Sequence, residues 1–301
     1  MADLLELPDE LLLNIATCLR HPSGSSCTYA SHKDLRQLAL TCRKLLPIAQ
    51  DALYHEAIIS ETGTAPIGPS SIARFARNLL EWPVLGSRVK RLSLKAVGEP
   101  LSHCSECFDR LARSDCCCGL AEIVALCKKF TKTTNTKTGQ SLYDETWMSK
   151  IDGRLEPALS GIILCLIPVV RTLTLEFALQ STDIVSDEGF RYSPRKKHIE
   201  LKEFFGTLPD RPGFAAEHIP GLANVTRLHA ADWVPTSIIA MPQLSTLRLR
   251  LLNHCYDHIP HHLRFPGDHI SPVLFTNIRR LRIRLDISIA YSTSVFGSDT
   301  M

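Results

Sequence analysis

One short pattern, apolar-x-x-Leu-x-apolar, recurs along the chain after residue 70 and constrains its fold more than any other feature. Within each copy, apolar and polar side chains alternate as they do in a β-strand with one buried face. The copies lie at 89–94, 170–175, 225–228, 244–249 and 278–283, and most of them follow a proline by a few residues. They belong to a repeated helix–turn–strand unit, and helices that alternate with strands favour a parallel sheet.

Repetition on this scale is typical of leucine-rich repeats, whose units stack into a curved solenoid with one concave sheet face. The spacing between the central leucines is uneven. We therefore expect an irregular, leucine-rich-repeat-like α/β solenoid with a parallel sheet over residues 71–301. Two polar stretches, 131–141 and 181–198, are predicted to be exposed insertions.

The first 60 residues have a different texture and predict a unit of three short helices. Pro8, Asp9 and Glu10 suit the first turn of a helix, and a third helix is predicted from Pro47 to about Ile58. The stretch 61–70 has the composition of a linker. The apolar stripes of the first two helices are Leu11, Leu12, Ile15 and Leu19, and then Leu35, Leu38, Cys42 and Leu45.

Three blocks of this unit resemble an F-box, in the order in which that motif has them. The first block, 5–19, opens with the pair Leu7-Pro8, and the second, 34–45, contains a Leu-x-x-Leu-x-x-x-Cys-Arg core. Leu53-Tyr54 stands where the motif closes with a leucine and an aromatic residue. The connection 20–33 is longer than usual for an F-box. The rest of the chain resembles, more loosely, the leucine-rich-repeat-like regions that follow F-boxes in many fungal proteins.

The F-box resemblance implies a function. An F-box binds the Skp adaptor of a cullin–RING ubiquitin ligase, and the domain behind it captures the protein substrate. On that basis the chain is expected to be a non-catalytic substrate-recognition subunit without a cofactor, in the cytoplasm or nucleus. The alternative is a leucine-rich-repeat-like scaffold protein without a ligase role, in which the helices only cap the repeats. The residues expected to bind the adaptor, or to hold the helices that bind it, are Leu7, Pro8, Leu11, Leu12, Ile15, Leu19, Leu35, Leu38, Cys42 and Leu45.

Strand alternation also predicts a basic surface. If Leu247 and Leu249 face the core, Arg248 and Arg250 face the other way. The same parity turns Arg280, Arg282 and Arg284 outward when Leu281, Ile283 and Leu285 face inward. Stacked arginines repel one another unless carboxylates or an acidic partner offset them. We expect these five arginines to bind an acidic or phosphorylated substrate; the alternative is an ordinary solvated sheet face.

Composition excludes several other classes of function. The net charge of +3 is too small to indicate nucleic-acid binding, and no aromatic residues separate the basic strand positions. Pro168 interrupts the longest apolar stretch, 162–170, so no membrane span is expected. Eleven cysteines without an export signal are expected to be free thiols in a reducing compartment.

Two clusters in the sequence contain residue types that bind metals. A cysteine group could supply thiolates for zinc, but its spacing is unusual, and a cysteine-rich helix and loop with Cys127 buried is the preferred interpretation. A histidine group lies among prolines and is interpreted as a solvated loop. No catalytic signature is present, so no enzyme activity and no metal are expected. The two groups are Cys104, Cys107, Cys116, Cys117, Cys118 and Cys127, and His254, Cys255, His258, His261, His262 and His269.

Overall fold

The computed structural model describes ten segments of the chain: 6–20, 28–60, 70–97, 120–132, 142–153, 156–178, 201–210, 216–231, 241–254 and 277–288. Six strands in these segments form a single sheet in which every neighbouring pair is parallel. The strands lie side by side in chain order. They are β1 (Glu56–Ser60), β2 (Arg91–Val97), β3 (Thr172–Ala178), β4 (Arg227–Ala231), β5 (Thr246–His254) and β6 (Arg280–Ser288). The predicted α/β class with a parallel sheet is confirmed.

The helices predicted before the sheet are also present. They are α1 (Asp9–Arg20), α2 (Thr28–Thr41) and α3 (Leu45–His55), and we call them together the helical unit. The helical unit has its own small core, which is separate from the core under the sheet. The buried residues of this small core are Leu12, Ala16, Leu35, Leu45, Ile48 and Ala52.

The boundary between the helical unit and the sheet lies earlier than the sequence predicts. Helix α3 ends at His55, and β1 begins at the next residue and pairs with β2. Ala57 and Ile59 are buried while Ile58 between them is exposed, which is the alternation of a strand. Residues 56–60 were expected to belong to the first domain, and a third helix to reach Ile58. The predicted linker 61–70 lies outside the described residues except for Ser70.

Short helices form a second layer, which packs on one face of the sheet. These are α4 (Ser71–Glu81), α5 (Leu120–Lys132), α6 (Glu145–Asp152), α7 (Glu156–Leu166), α8 (Leu201–Phe205) and α9 (Pro220–Ala223), with 3₁₀ turns at Pro83–Arg88, Leu208–Asp210 and Ala216–His218. Their apolar side chains form one core with the leucine-bearing face of the sheet. Every residue of α7 is buried, because this helix is surrounded by its neighbours in the layer.

Two glycines let backbones approach α7 closely. A Cβ atom on Gly161 would overlap the carbonyl oxygen of Phe204, and one on Gly221 would overlap that of Leu164. No larger residue fits at either position without a shift of the backbone. These contacts fix how α8 and α9 sit on α7.

Capping hydrogen bonds hold α6 against the turn after α8. The Asp144 carboxylate accepts hydrogen bonds from the backbone N–H of Trp147 at 2.7 Å and of Thr207 at 3.1 Å, and from the Thr207 hydroxyl. Asp144 is therefore a buried N-cap that also links two helices. Gly206, with φ of 59°, provides the left-handed backbone that this turn requires.

The same hydrogen bonds recur from one helix–turn–strand unit to the next. At the start of β3, β4, β5 and β6, a backbone N–H donates to the residue just before the preceding strand. The Asn224 amide donates to the Pro168 carbonyl at 2.7 Å, and the Asn277 amide to the Pro242 carbonyl at 2.9 Å. Pro168 and Pro242 therefore each accept a hydrogen bond from the following unit, which links that unit to the one before it.

One polar stretch predicted to be exposed is partly buried. Thr131, its first residue, is fully buried in the last turn of α5. Its hydroxyl donates to the carbonyl of Cys127 at 3.0 Å, so burial leaves no unpaired polar group. Residues 133–141 and the second predicted insertion, 181–198, lie outside the described residues.

Candidate protein-binding surfaces

Helix α1 exposes an apolar stripe along one of its sides. Leu11 is 48% exposed, Ile15 is 40% exposed and Leu19 is 37% exposed. The three residues are spaced four apart, so they lie above one another on the helix surface. Leu12 and Ala16 on the adjoining side are buried in the core of the helical unit. We call Leu11, Ile15 and Leu19 the α1 stripe.

The predicted adaptor-binding residues fall into three groups. Pro8 and the α1 stripe are exposed. Leu7, Leu38 and Cys42 are partly buried and pack against the core of the helical unit. Leu12, Leu35 and Leu45 are fully inside that core, where they hold the helices together and a partner cannot touch them.

Three exposed leucines of the helical unit were missed by the sequence analysis. Leu40 is 85% exposed near the end of α2, and Leu13 and Leu46 are also exposed. Leu40 has Arg36 and Gln37 four and three residues before it, so it lies outside the apolar stripe of α2. A leucine outside the core stripe of an amphipathic helix is the signal that could have identified them.

The helical unit is fastened to the sheet by polar contacts as well as by chain continuity. The Arg88 guanidinium forms an ion pair with Asp51 of α3 at 2.8 Å and donates to the Pro47 carbonyl at 3.4 Å. The backbone N–H of Lys90 donates to the carbonyl of His55, the last residue of α3. These contacts all lie beside β1 and β2, because Arg88 and Lys90 precede β2 and His55 precedes β1.

The face of the sheet opposite the helices is polar and becomes basic toward β6. We call this surface the arginine face. The register aligns three rows across all six strands. They are Glu56–Arg91–Thr172–Arg227–Thr246–Arg280, Ile58–Ser93–Thr174–His229–Arg248–Arg282 and Ser60–Lys95–Glu176–Ala231–Arg250–Arg284.

The five arginines predicted from strand parity are neighbours on this face. Arg248 lies opposite Arg282 and Arg250 opposite Arg284, while Arg280 completes the same side of β6. All five are exposed. Adjacent strands are about 4.8 Å apart, so the backbones carrying these side chains are close enough for their charges to repel.

At the β1 end of the arginine face, an arginine has a carboxylate partner. Arg91 of β2 is paired with Glu56 of β1 at 3.4 Å. Within the described segments, no carboxylate forms an ion pair with Arg248, Arg280 or Arg282. The positive charge of β5 and β6 is therefore incompletely offset by the described residues of the chain.

The pKa of His229 is sensitive to the positive charges of the arginine face. This half-buried side chain lies beside Arg248 in the middle row. Burial lowers its pKa below the ordinary value, and the positive charges of Arg248, Arg91 and Arg227 lower it further. His229 is consequently neutral at neutral pH, and a bound anion would raise its pKa.

Two of the four described cysteines are buried thiols. Cys127 and Cys165 are buried, and burial raises the pKa of each thiol to about 12, so both stay protonated. In the described part of the chain, no three His, Cys, Asp or Glu residues come together as a metal site. Of the two clusters weighed above, all members except Cys127 and His254 lie outside the described residues.

Comparison with known proteins adds no family assignment. No protein-family model matches the chain, and no curated protein matches it. None of the helices in the described segments has the length and apolar character needed to cross a bilayer. The α1 stripe and the arginine face are the two candidate binding surfaces of the described segments.

Proposed function

We propose that the chain is a non-catalytic substrate-recognition subunit of a Skp–cullin–F-box ubiquitin ligase, acting in the cytoplasm or nucleus. The helical unit binds the Skp adaptor, and the α/β units behind it bind a protein substrate. The observation that carries the proposal is the α1 stripe, because its helix is the one whose sequence resembles an F-box. A small helical unit with three exposed apolar side chains on one side gains stability when a partner buries them.

The α/β units are proposed to form an irregular leucine-rich-repeat-like solenoid. Two observations support this architecture. The strands follow one another in chain order with parallel pairing, and equivalent hydrogen bonds join each unit to the next. An array of this kind presents one continuous sheet face to a ligand.

The substrate is proposed to carry an acidic or phosphorylated segment that binds the arginine face. Guanidinium groups bind carboxylates and phosphates through paired hydrogen bonds, and those of β5 and β6 are adjacent. Because these side chains are exposed, binding should weaken as salt rises and screens the charges over about 8–10 Å.

Co-purification tests adaptor binding. The full chain expressed with a Skp adaptor and a cullin is expected to elute with both as one complex. Replacing Leu7 and Pro8 by Ala should abolish the complex, because Leu7 packs against the core of the helical unit and the exposed Pro8 completes the Leu-Pro pair that resembles the start of an F-box. Undiminished recovery of the adaptor with this variant would contradict the F-box assignment.

Charge reversal tests the arginine face. The variant Arg248→Glu with Arg282→Glu should elute from immobilised polyglutamate at much lower salt than the wild type, and should still bind the adaptor. The matched control reverses Arg36 and Arg74, which are exposed on helices rather than on the sheet. If the control loses as much affinity as the sheet variant, general charge rather than the arginine face is responsible.

A scaffold protein without a ligase role is the second candidate. It is favoured by the direct passage of α3 into β1, which suits a helical cap on the first strand of a sheet. The same co-purification separates the two functions. A cap has no affinity for the adaptor, whereas a substrate receptor requires it.

A further inference from the structure

Strand β6 exposes apolar side chains on the face of the sheet that the helices otherwise cover. Leu281 is 58% exposed and Ile283 is 53% exposed. Their register neighbours in β5 are Leu247, which is 1% exposed, and Leu249, which packs against the main core. The sequence predicts that Leu281 and Ile283 face inward, and they do lie on the leucine-bearing face, but both are more than half exposed there.

The same two residues direct their backbone groups toward the edge of the sheet. The N–H of Arg280 donates to the carbonyl of Ser245 at 3.1 Å, so the backbone of Arg280 faces β5. In a parallel ladder every second residue faces the same neighbour, so Arg282 also faces β5. Leu281 and Ile283 then present their N–H and C=O groups on the opposite side. Among the described strands, β6 pairs with β5 alone, and such an edge is a template for another strand.

The polar face of β6 selects among the strands that could pair with it. A strand at this edge would place alternate side chains beside Arg280 and Arg282, which are exposed. Opposite charges on neighbouring strands stabilise a sheet, and like charges destabilise it. A second copy of β6 paired in parallel and in register would bring arginines against arginines, so that pairing between copies is disfavoured.

We propose that β6 is a docking edge for an extended segment of a partner protein in which acidic residues alternate with apolar ones. The acidic residues lie beside Arg280 and Arg282, and the apolar residues cover Leu281 and Ile283. Backbone hydrogen bonds provide affinity, and the alternation provides specificity. This site is the edge of the sheet, and it does not depend on adaptor binding by the helical unit.

Three labelled peptides test the alternation. Each has nine residues, the length of β6. One alternates Glu and Val, one has the same composition with all glutamates in one block, and one alternates Lys and Val. Fluorescence anisotropy with the full chain should show saturable binding of the first peptide. The affinity for each of the other two peptides should be lower by roughly tenfold or more. Hydrogen exchange should show that the first peptide protects the amides of Leu281 and Ile283.

Variants of the protein test the two faces of β6 separately. Leu281→Lys with Ile283→Lys places charges on the apolar side, a change that edge strands tolerate, and should lower affinity for the Glu–Val peptide by roughly tenfold or more. The control is Ile58→Lys, because Ile58 is a similarly exposed apolar residue on β1, the strand at the other side of the described sheet. Arg280→Glu with Arg282→Glu should reverse the preference in favour of the Lys–Val peptide.

Several results would overturn the proposal. Equal affinity for the alternating and blocked peptides would mean that acidic chains bind the arginine face without adding a strand, which leaves the proposed substrate surface intact. A dimer in sedimentation that is lost in the lysine variant would identify a second copy as the occupant. Unprotected amides at Leu281 and Ile283 would exclude strand addition. If the lysine variant fails to fold, a Glu–Val peptide with N-methyl groups on alternate residues replaces it, and undiminished binding of that peptide contradicts the proposal.

Discussion

Truncating the α1 stripe should weaken adaptor binding without unfolding the protein. The variant carries Leu11→Ala, Ile15→Ala and Leu19→Ala. Alanine is the best helix former, so α1 itself should persist. The three side chains contribute little to the core of the helical unit because each is more than one third exposed.

The expected loss follows from the area that remains to be buried. The exposed fractions of 48%, 40% and 37% amount together to slightly more than one complete side chain. Burying a leucine or isoleucine completely contributes about 1.5–3 kcal/mol. Since alanine keeps one methyl group at each position, we expect a loss of about 2 kcal/mol, which is about thirtyfold in Kd.

Titration calorimetry with a purified Skp adaptor measures the change, and thermal unfolding checks the fold. The matched control is Leu13→Ala, because Leu13 is 37% exposed on the same helix but outside the α1 stripe. The control should bind as the wild type does. An unchanged Kd for the triple variant, or an equal loss for the Leu13 variant, would refute the assignment of the α1 stripe as the contact.

Three further predictions concern the sheet and its helices. Gly161→Ala should lower the free energy of unfolding by about 1–3 kcal/mol in chemical denaturation, because the added Cβ overlaps the Phe204 carbonyl. Arg248→Gln should raise the pKa of His229 in an NMR titration, since Arg248 is one of the charges that lower it. In the wild type the unfolded chain protonates this histidine first, so its contribution to stability should decline as pH falls below about 6.5. Cys127 should resist alkylation at neutral pH until the protein is unfolded, because burial raises the pKa of its thiol to about 12.

Each of these predictions has a control in the chain. Gly153→Ala should cost less than Gly161→Ala, because Gly153 is exposed and a Cβ there meets its nearest carbonyl at 3.3 Å. Arg279→Gln should leave the His229 titration unchanged, since this exposed arginine is not among the charges that lower its pKa. Cys18 is exposed and should be alkylated in the folded protein. Alkylation of Cys127 as fast as that of Cys18 would contradict the packing of α5.

The sheet was predictable because strand parity has a short, strict period. Once Leu247 and Leu249 are assigned to the core, Arg248 must lie on the other face, and pairing in register carries this rule to β6. Strand β1 escaped prediction because it has only five residues and follows α3 without a turn signal. Its two inward residues, Ala57 and Ile59, are too few to distinguish the period of a strand from that of a helix.

Helical periodicity predicts the apolar residues of α1 but does not separate the exposed ones from the buried ones. Apolar residues at i, i+3 and i+4 cover a broad sector of a helix. Leu11, Leu12 and Ile15 therefore read as one stripe in the sequence, although Leu12 is buried and the other two are exposed. A side chain buried by its own domain and one available to a partner are equally apolar, and only the packing of α1 against α2 and α3 separates them.

The order of the strands gives the two candidate surfaces a defined spatial relation. The helical unit joins the sheet at β1 through the uninterrupted step from His55 to Glu56 and through the ion pair between Asp51 and Arg88. The arginine pairs lie at β5 and β6, four and five strand spacings from β1, or about 19–24 Å across the sheet. In the proposed substrate receptor, α3 passes directly into β1, so no linker separates the helical unit from the first strand of the sheet. Helix α3, the Asp51–Arg88 ion pair and the six strands connect the helical unit to the arginine face. The number of strands between them therefore determines the distance from the helical unit to a ligand bound on the arginine face.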